Sequence, residues 1–316
     1  MAPPSASSHS RSSLIELDRF STSDLKRWRQ ISADLDELNN LLYFGIEPQR
    51  RRRQSDMIAA LQSVSAVQVP IDGWVRNVPY RFSGSPLSAA GSLTGFGGRF
   101  NIGIDVEQAM HEPWPALYIG EDLETAFREK FQLDRCDRVD GLTPQDLALV
   151  PRDDFATVYV NGHLERVFDI DQPDCLTPLC AVLRKMNLPA TVRTIQQRLR
   201  IPKPAVYMVR TPSRLREDVL EKNWRVSPAQ FGLPATSHLL AGLILDAGFE
   251  AILYPSTKGR RRCLAIFPHN LASDRSHVQL ANAAPSGVTL TRLDLNTADE
   301  LCGWELLRPR QSPGGS

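Results

Sequence analysis

Arg81, the glycine-rich loop GFGGRFN at 95–101, Tyr118 and Glu129 follow one another between positions 80 and 129. A guanidinium presents a fork of donors that fits a diphosphate bidentately. Glycines tolerate positive φ and let the backbone approach a ligand or fold a tight hairpin. A tyrosine offers a ring for stacking, and a carboxylate stabilises the positive charge that builds as a glycosidic bond breaks. Together the set suits a site that grips a nucleotide and cleaves a bond to its sugar. Each part also has a structural reading: Arg81 as a surface arginine in an ion pair, the glycines as a turn without a ligand, Tyr118 as core, and Glu129 as one of many helical acids.

Competing motifs narrow the choice. The loop fails the dinucleotide fingerprint GxGxxG, because its sixth position is Phe100 and Asn101-Ile102-Gly103 opens no helix. Arg99, inside the loop, is a second cation of the same kind as Arg81. The chain has no GxSxG, HExxH or Walker sequence. Its histidines, at 9, 111, 163, 238, 269 and 277, lack ligand spacing, and His163 and His238 read as surface or cap residues. Cys175 and Cys180 in CLTPLC read as a half-buried apolar pair, so no metal is expected.

These residues need elements to hold them. Leu25, Trp28, Ile31, Leu35, Leu38 and Leu42 recur at helical steps and end at Gly45, which predicts an amphipathic helix capped by Thr22 or Ser23. A second helix is expected at 55–64, after the basic run 50–53, which reads as a solvated helix start. Pro70, Gly73 and Pro79 mark a new region that opens with a short strand at 78–82, carrying Arg81. Further strands are expected at 116–119, 156–160, 205–209, 250–254 and 263–267. Helices are expected at 123–131, 175–186, 191–199 and 235–247. Glu129 then falls about 60° around its helix from Ala126, at the edge of the apolar stripe. Strands and helices mix without regular βαβ alternation, which predicts an α+β fold.

The chain has 316 residues, 42% hydrophobic and 23% charged, with a formal net charge of +1 from 37 basic and 36 acidic residues. That balance excludes a global attraction to nucleic acid. Five cysteines form no CxxC pair and argue for a reducing compartment. The first residues lack the apolar core of a signal peptide, and the greasiest run, 238–254, is interrupted by Asp246 and Glu250, so no membrane segment and a cytoplasmic location are expected. The expected organisation is a Ser/Pro-rich tail at 1–13, a small helical region at 14–67, a larger domain at 68–308 and a tail at 309–316.

Arg81 followed by Phe82, the GGRFN loop, the segment LYIGEDLETAFRE and AILYPST leading into CLAIFP resemble the RES-domain family of bacterial toxins over about residues 76–270. That resemblance implies a split mixed β-sheet with flanking helices, similar to mono-ADP-ribosyltransferases, and an activity that consumes NAD. It puts Arg81 on the phosphates of NAD, with Phe82, Gly97, Gly98, Arg99 and Asn101 around the ligand and Tyr118 near the nicotinamide. Glu129 becomes the catalytic carboxylate and Ser256 a polar group that orders the site. The implied function is an NAD-cleaving toxin, glycohydrolase or phosphorylase, restrained by a cognate antitoxin. The alternatives are transfer of ADP-ribose to a protein acceptor, or a binding module with a vestigial cleft. Two features depart from compact members: an inserted segment at about 140–225 and the N-terminal helical region at 14–67, read as a plain structural extension, with packing on the domain, self-association or binding of a partner as the alternatives.

Overall fold

The structure, a computed structural model, describes residues 22–107, 109–133, 155–271 and 274–303. Both expected tails, Cys136 and the start of the 140–225 segment lie outside the described residues, and so does the side chain of Arg81. The chain divides into two compact units, one formed by residues 1–47 and 188–207 and the other by 48–187 and 208–316.

The small unit is built on helix α1 (Thr22–Tyr43). The same unit contains a helix at Ala190–Arg198, named α6 below. Leu38, Val192, Ile195 and Val206 form its core. Arg198 bridges two acids about one turn apart on α1, reaching Asp34 at 3.0 Å and Glu37 at 3.5 Å. The N-terminal half of the α1 stripe is different, since Leu25, Trp28, Ile31 and Leu35 are exposed.

The larger unit begins at Pro48, inside α2 (Glu47–Arg52), and continues with α3 (Gln54–Gln62), so the basic run lies in and just after a helix of its own. Strand β1 (Val67–Pro79) follows. Pro70 and Gly73 were expected to punctuate the chain, yet they lie inside β1. The register shifts between Ile71 and Trp74, where Gly73 takes φ +64° and donates its N–H to Asn161 Oδ1 at 2.8 Å. A bulge therefore absorbs the glycine without ending the strand. The expected strand at 78–82 is corrected in its second half: Tyr80–Phe82 is a 3₁₀ turn. Pro79, without an N–H to extend the ladder, closes β1, and Arg81 rides on the turn beyond it.

The hairpin β2 (Gly97–Gly98) and β3 (Asn101–Ile102) comes next, followed by β4 (Leu117–Gly120) and α4 (Leu123–Phe131). Strand β5 (Phe155–Asp169) is longer than the expected 156–160. Helix α5 (Thr177–Leu183) precedes α6, which lies in the small unit. The strand expected at 205–209 is absent: Lys203–Ala205 is a 3₁₀ turn and irregular backbone follows. Pro202 and Pro204 flank and enter that turn, which takes Ala205 out of the run, and Val206 is buried. The chain continues through α7 (Pro212–Val219), α8 (Val226–Phe231), α9 (Thr236–Asp246), β6 (Ala251–Pro255), β7 (Arg262–Ile266), β8 (His277–Leu280), β9 (Arg292–Leu293) and α10 (Ala298–Cys302).

The main sheet is mixed, in the order β1-β4-β7-β6-β5-β8-β9, with β1 also pairing with β5. Only the β5–β6 pair is parallel among the described strands. Alternation along β6 and β7 splits the core in two. Ile252, Tyr254, Cys263 and Ala265 face a layer that includes Leu179, Leu240 and Ile244, whereas Ala251, Leu253, Leu264 and Ile266 face a second layer that includes Trp74, Val160 and Leu301. This is a mixed α/β architecture, a sheet with flanking helices.

Candidate functional site

The site assembles where the N-terminal hairpin, α4 and the turn after β6 converge. Helix α4 starts at Asp122, whose carboxylate accepts the Thr125 N–H at 2.7 Å, and stops at Gln132, in the left-handed conformation at φ +58°. These ends fix Glu129 on the last turn. Across 127 residues of chain, Ser256 Oγ donates to Glu129 Oε1 at 2.6 Å, and the Thr257 N–H donates to the same oxygen at 3.1 Å. Oε2 takes no hydrogen bond from any described residue, and the side chain is half-buried.

Ser256 is held as firmly as it holds. Its hydroxyl accepts the N–H groups of Lys258 at 3.1 Å and Gly259 at 2.6 Å, which closes a tight turn. The turn rests on α4: a Cβ at Gly259 would lie 2.5 Å from Thr125 Oγ1, so only glycine allows the approach. Thr125 Oγ1 also accepts the Arg261 N–H at 3.3 Å.

The hairpin loop reaches the same turn through Arg99. One guanidinium nitrogen donates to Thr257 Oγ1 at 3.0 Å, and the other to the carbonyls of Glu221 at 2.8 Å and Val219 at 3.2 Å. The residue is only 6% exposed, so both terminal nitrogens are committed to protein groups. Burial lowers its pKa, while Tyr254 and Glu129 act the other way.

Tyr118 latches the loop. Its hydroxyl accepts the Phe100 N–H and donates to Asn101 Oδ1, both at 2.9 Å, and Asn101 Oδ1 accepts the Gly98 N–H at 2.9 Å. Asn101 Nδ2 spends its donors on the carbonyls of Ser92 and Trp114. Burial pushes the Tyr118 phenol far up, so it remains neutral. A Cβ at Gly98 would lie 2.5 Å from the Tyr118 oxygen, and Gly97 takes φ +88°. The glycines at 97 and 98 thus make the hairpin and admit the tyrosine.

His238 supports the loop from beneath. It is fully buried, its Nδ1 accepts the Ala235 N–H at 3.3 Å, and its Nε2–H donates to Gly98 O at 2.8 Å. The second proton of an imidazolium would point at the Ala235 N–H, and burial lowers its pKa to about 4 against the Gly98 carbonyl. His238 is therefore a buried cap contact rather than a surface residue.

Glu129, Ser256, Tyr118, Gly97, Gly98, Arg99 and Asn101 thus meet, with Thr257 bonded to both Arg99 and Glu129. Phe82 is half-buried on the 3₁₀ turn with Arg81. That turn follows Arg76, which donates to Ser88 O at 2.6 Å and Tyr118 O at 3.4 Å. Arg76 was missed in the sequence, as were Thr257 and the pair Trp224–Arg225. Thr257 stood beside Ser256 in the PST motif, and an aromatic next to an arginine was the available signal for the pair. Burial lowers the Arg76 pKa to about 10.

Cys175, Cys180, Cys263 and Cys302 are buried free thiols whose pKa burial raises. Among the described residues no group of three or more His, Cys, Asp or Glu could hold a metal ion, and no helix is long and apolar enough to cross a membrane.

The sequence matches no protein-family model and no curated protein. Among solved structures, one from the M. tuberculosis MbcT–MbcA toxin–antitoxin complex is similar at 10% identity and a TM-score of 0.41, covering 78% of this chain and 97% of that one. A likeness at that level says nothing about function.

Proposed function

We propose that this chain is an NAD-consuming toxin that cleaves the nicotinamide–ribose bond, with water or phosphate as acceptor, and that a cognate antitoxin restrains it. In this reading the mixed sheet is the split sheet of the mono-ADP-ribosyltransferase type. The observation that carries the reading is the Glu129–Ser256 contact, because it joins two residues 127 apart that the sequence resemblance had singled out separately.

The chemistry follows from the geometry. Ser256 and Thr257 occupy Oε1 and fix the carboxylate, leaving Oε2 to meet the ribose. As the nicotinamide leaves, charge builds on the sugar ring, and a fixed carboxylate stabilises it without reorganising. The latched loop of Gly98, Asn101 and Tyr118 supplies a rigid wall beside it, and Arg81 on its turn takes the diphosphate. Anchoring the remote phosphates holds the ribose in register, which turns binding into positioning.

Incubating the purified chain with NAD, with and without phosphate, and separating the products tests this. Free nicotinamide with ADP-ribose, or with its phosphorylated form when phosphate is present, is expected. Labelled NAD in a cell lysate distinguishes transfer, which would give a discrete labelled protein band. NAD left intact under all of these conditions would defeat the reading.

A further inference from the structure

Two guanidiniums lie against one indole near Glu129. Arg225 Cζ is 4.6 Å from the centroid of the Trp224 ring, and Arg99 Cζ is 5.8 Å from it. Trp224 is itself buried and fixed edge-on by Phe96 and His238, at 5.9 and 5.3 Å between ring centroids. Neither arginine forms an ion pair with a carboxylate among the described residues.

Their remaining capacity differs. Arg99 has both terminal nitrogens on protein acceptors and is almost fully buried. Arg225 spends one nitrogen, Nη1, on Gln132 Oε1 at 2.6 Å, and its Nη2 and Nε donate to no described residue. It is half-buried, so those donors stay open to a ligand. The contact with Gln132 matters for position. Gln132 is the C-terminal cap of α4, three residues after Glu129, and it donates in turn to the Glu129 carbonyl. Arg225 is thereby fastened to the end of the helix that carries the carboxylate. The indole beneath it limits where its plane can lie and attracts the cation.

The electrostatics point the same way. Burial lowers the Arg225 pKa first, Arg99 adds to this as a like charge, and Glu129 opposes it. Two arginines against one carboxylate leave an excess of positive charge in a partly desolvated place, where an anion is the natural complement.

We propose that Arg225 is a second anion-binding residue of this site, taking the diphosphate of a dinucleotide through Nη2 and Nε, in the role the sequence suggested for Arg99. The inference rests on the nucleotide reading above and extends it to the last residue of the inserted segment at 140–225. There the insertion does more than cover the domain, since it carries part of substrate recognition.

Calorimetric titration of the full chain with inorganic pyrophosphate and with ADP-ribose tests this. Arg225→Ala is expected to weaken both about tenfold to a hundredfold, the usual range for a hydrogen bond to a charged group. It should raise KM for NAD by a similar factor with kcat kept. Arg225→Lys, which retains the charge without the fork, should recover part of the loss. Gln132→Ala removes the fastening and keeps the cation, so it should bind pyrophosphate more tightly than Arg225→Ala does. Pyrophosphate binding by Arg225→Ala as tight as by wild type, or an equal loss in Gln132→Ala, would overturn the proposal. A wild type that binds ADP-ribose through Arg225 yet leaves NAD intact would keep this residue and defeat the catalytic reading instead.

Discussion

Two glutamates in the larger unit each take a hydrogen bond from a serine hydroxyl, and their surroundings differ. Glu250, just before β6, is 1% exposed. Ser276 Oγ lies 2.7 and 2.9 Å from its two oxygens, and Oε2 also accepts the N–H groups of Glu165 at 2.8 Å and Arg166 at 3.2 Å. Its backbone N–H bonds to Arg166 O, so the residue seals the place where β5 meets β6. Glu129 has the same kind of partner on one oxygen only. The contrast teaches that a carboxylate closed on every side is a structural plug, whereas one fixed on one side and open on the other is poised for a ligand.

Replacing each pair separates the two roles. Glu250→Ala leaves the Arg166 N–H and the Ser276 hydroxyl proton without their acceptor in the interior, while the Glu165 N–H keeps Ser276 Oγ at 3.2 Å, and should cost about 3 kcal/mol of stability, read by denaturant unfolding. NAD consumption per folded molecule should persist; normal stability with lost activity would reverse the assignment. Acid probes the floor of the Glu129 side. His238 has a folded pKa of about 4 against an ordinary 6.5, so the unfolded chain binds the extra proton first. Stability is therefore full above pH 6.5 and falls as the pH drops towards 4, by up to about 3 kcal/mol. Unfolding curves of wild type and His238→Gln across that window check it, since the variant should lose the slope.

Smaller effects sharpen the comparison. Gly259→Ala should push the Ser256 turn off Thr125, at a cost of about 2 kcal/mol, and lower activity because the carboxylate loses its two donors. Ser256→Ala should change stability by only about 1 kcal/mol and reduce kcat about tenfold. Unchanged kcat there would leave Ser256 as turn chemistry alone.

Much of this was readable in the residues. The period of α1, the helical stretch at 123–131 and the apolar runs of β6 and β7 were plain, because each carries a single local pattern. Glu129, the glycine loop, Tyr118 and Ser256 were visible as types, but their meeting depends on pairings such as β4 with β7, which no local pattern encodes. Pro70 and Gly73 read as punctuation and hid most of β1, so that only a strand at 78–82 was expected, and a 3₁₀ turn at Lys203–Ala205 cut into the apolar run at 205–209. Arg99 looked free to meet an anion for the same reason: that its guanidinium finds carbonyls instead is decided by the distant segment at 219–221. Glu250 looked like a charge interrupting a greasy run, and only its partners at 165, 166 and 276 reveal the plug.

The central claim, that Glu129 is open chemistry where Glu250 is closed structure, is tested most directly by the near-isosteric change Glu129→Gln. Its unfolding midpoint and its rate of nicotinamide release from NAD should be measured beside wild type. The account predicts a midpoint close to that of wild type and a rate lower by about a thousandfold, the range lost with a positioned acid–base or charge-stabilising group. Nicotinamide release at the wild-type rate from the folded variant would contradict it.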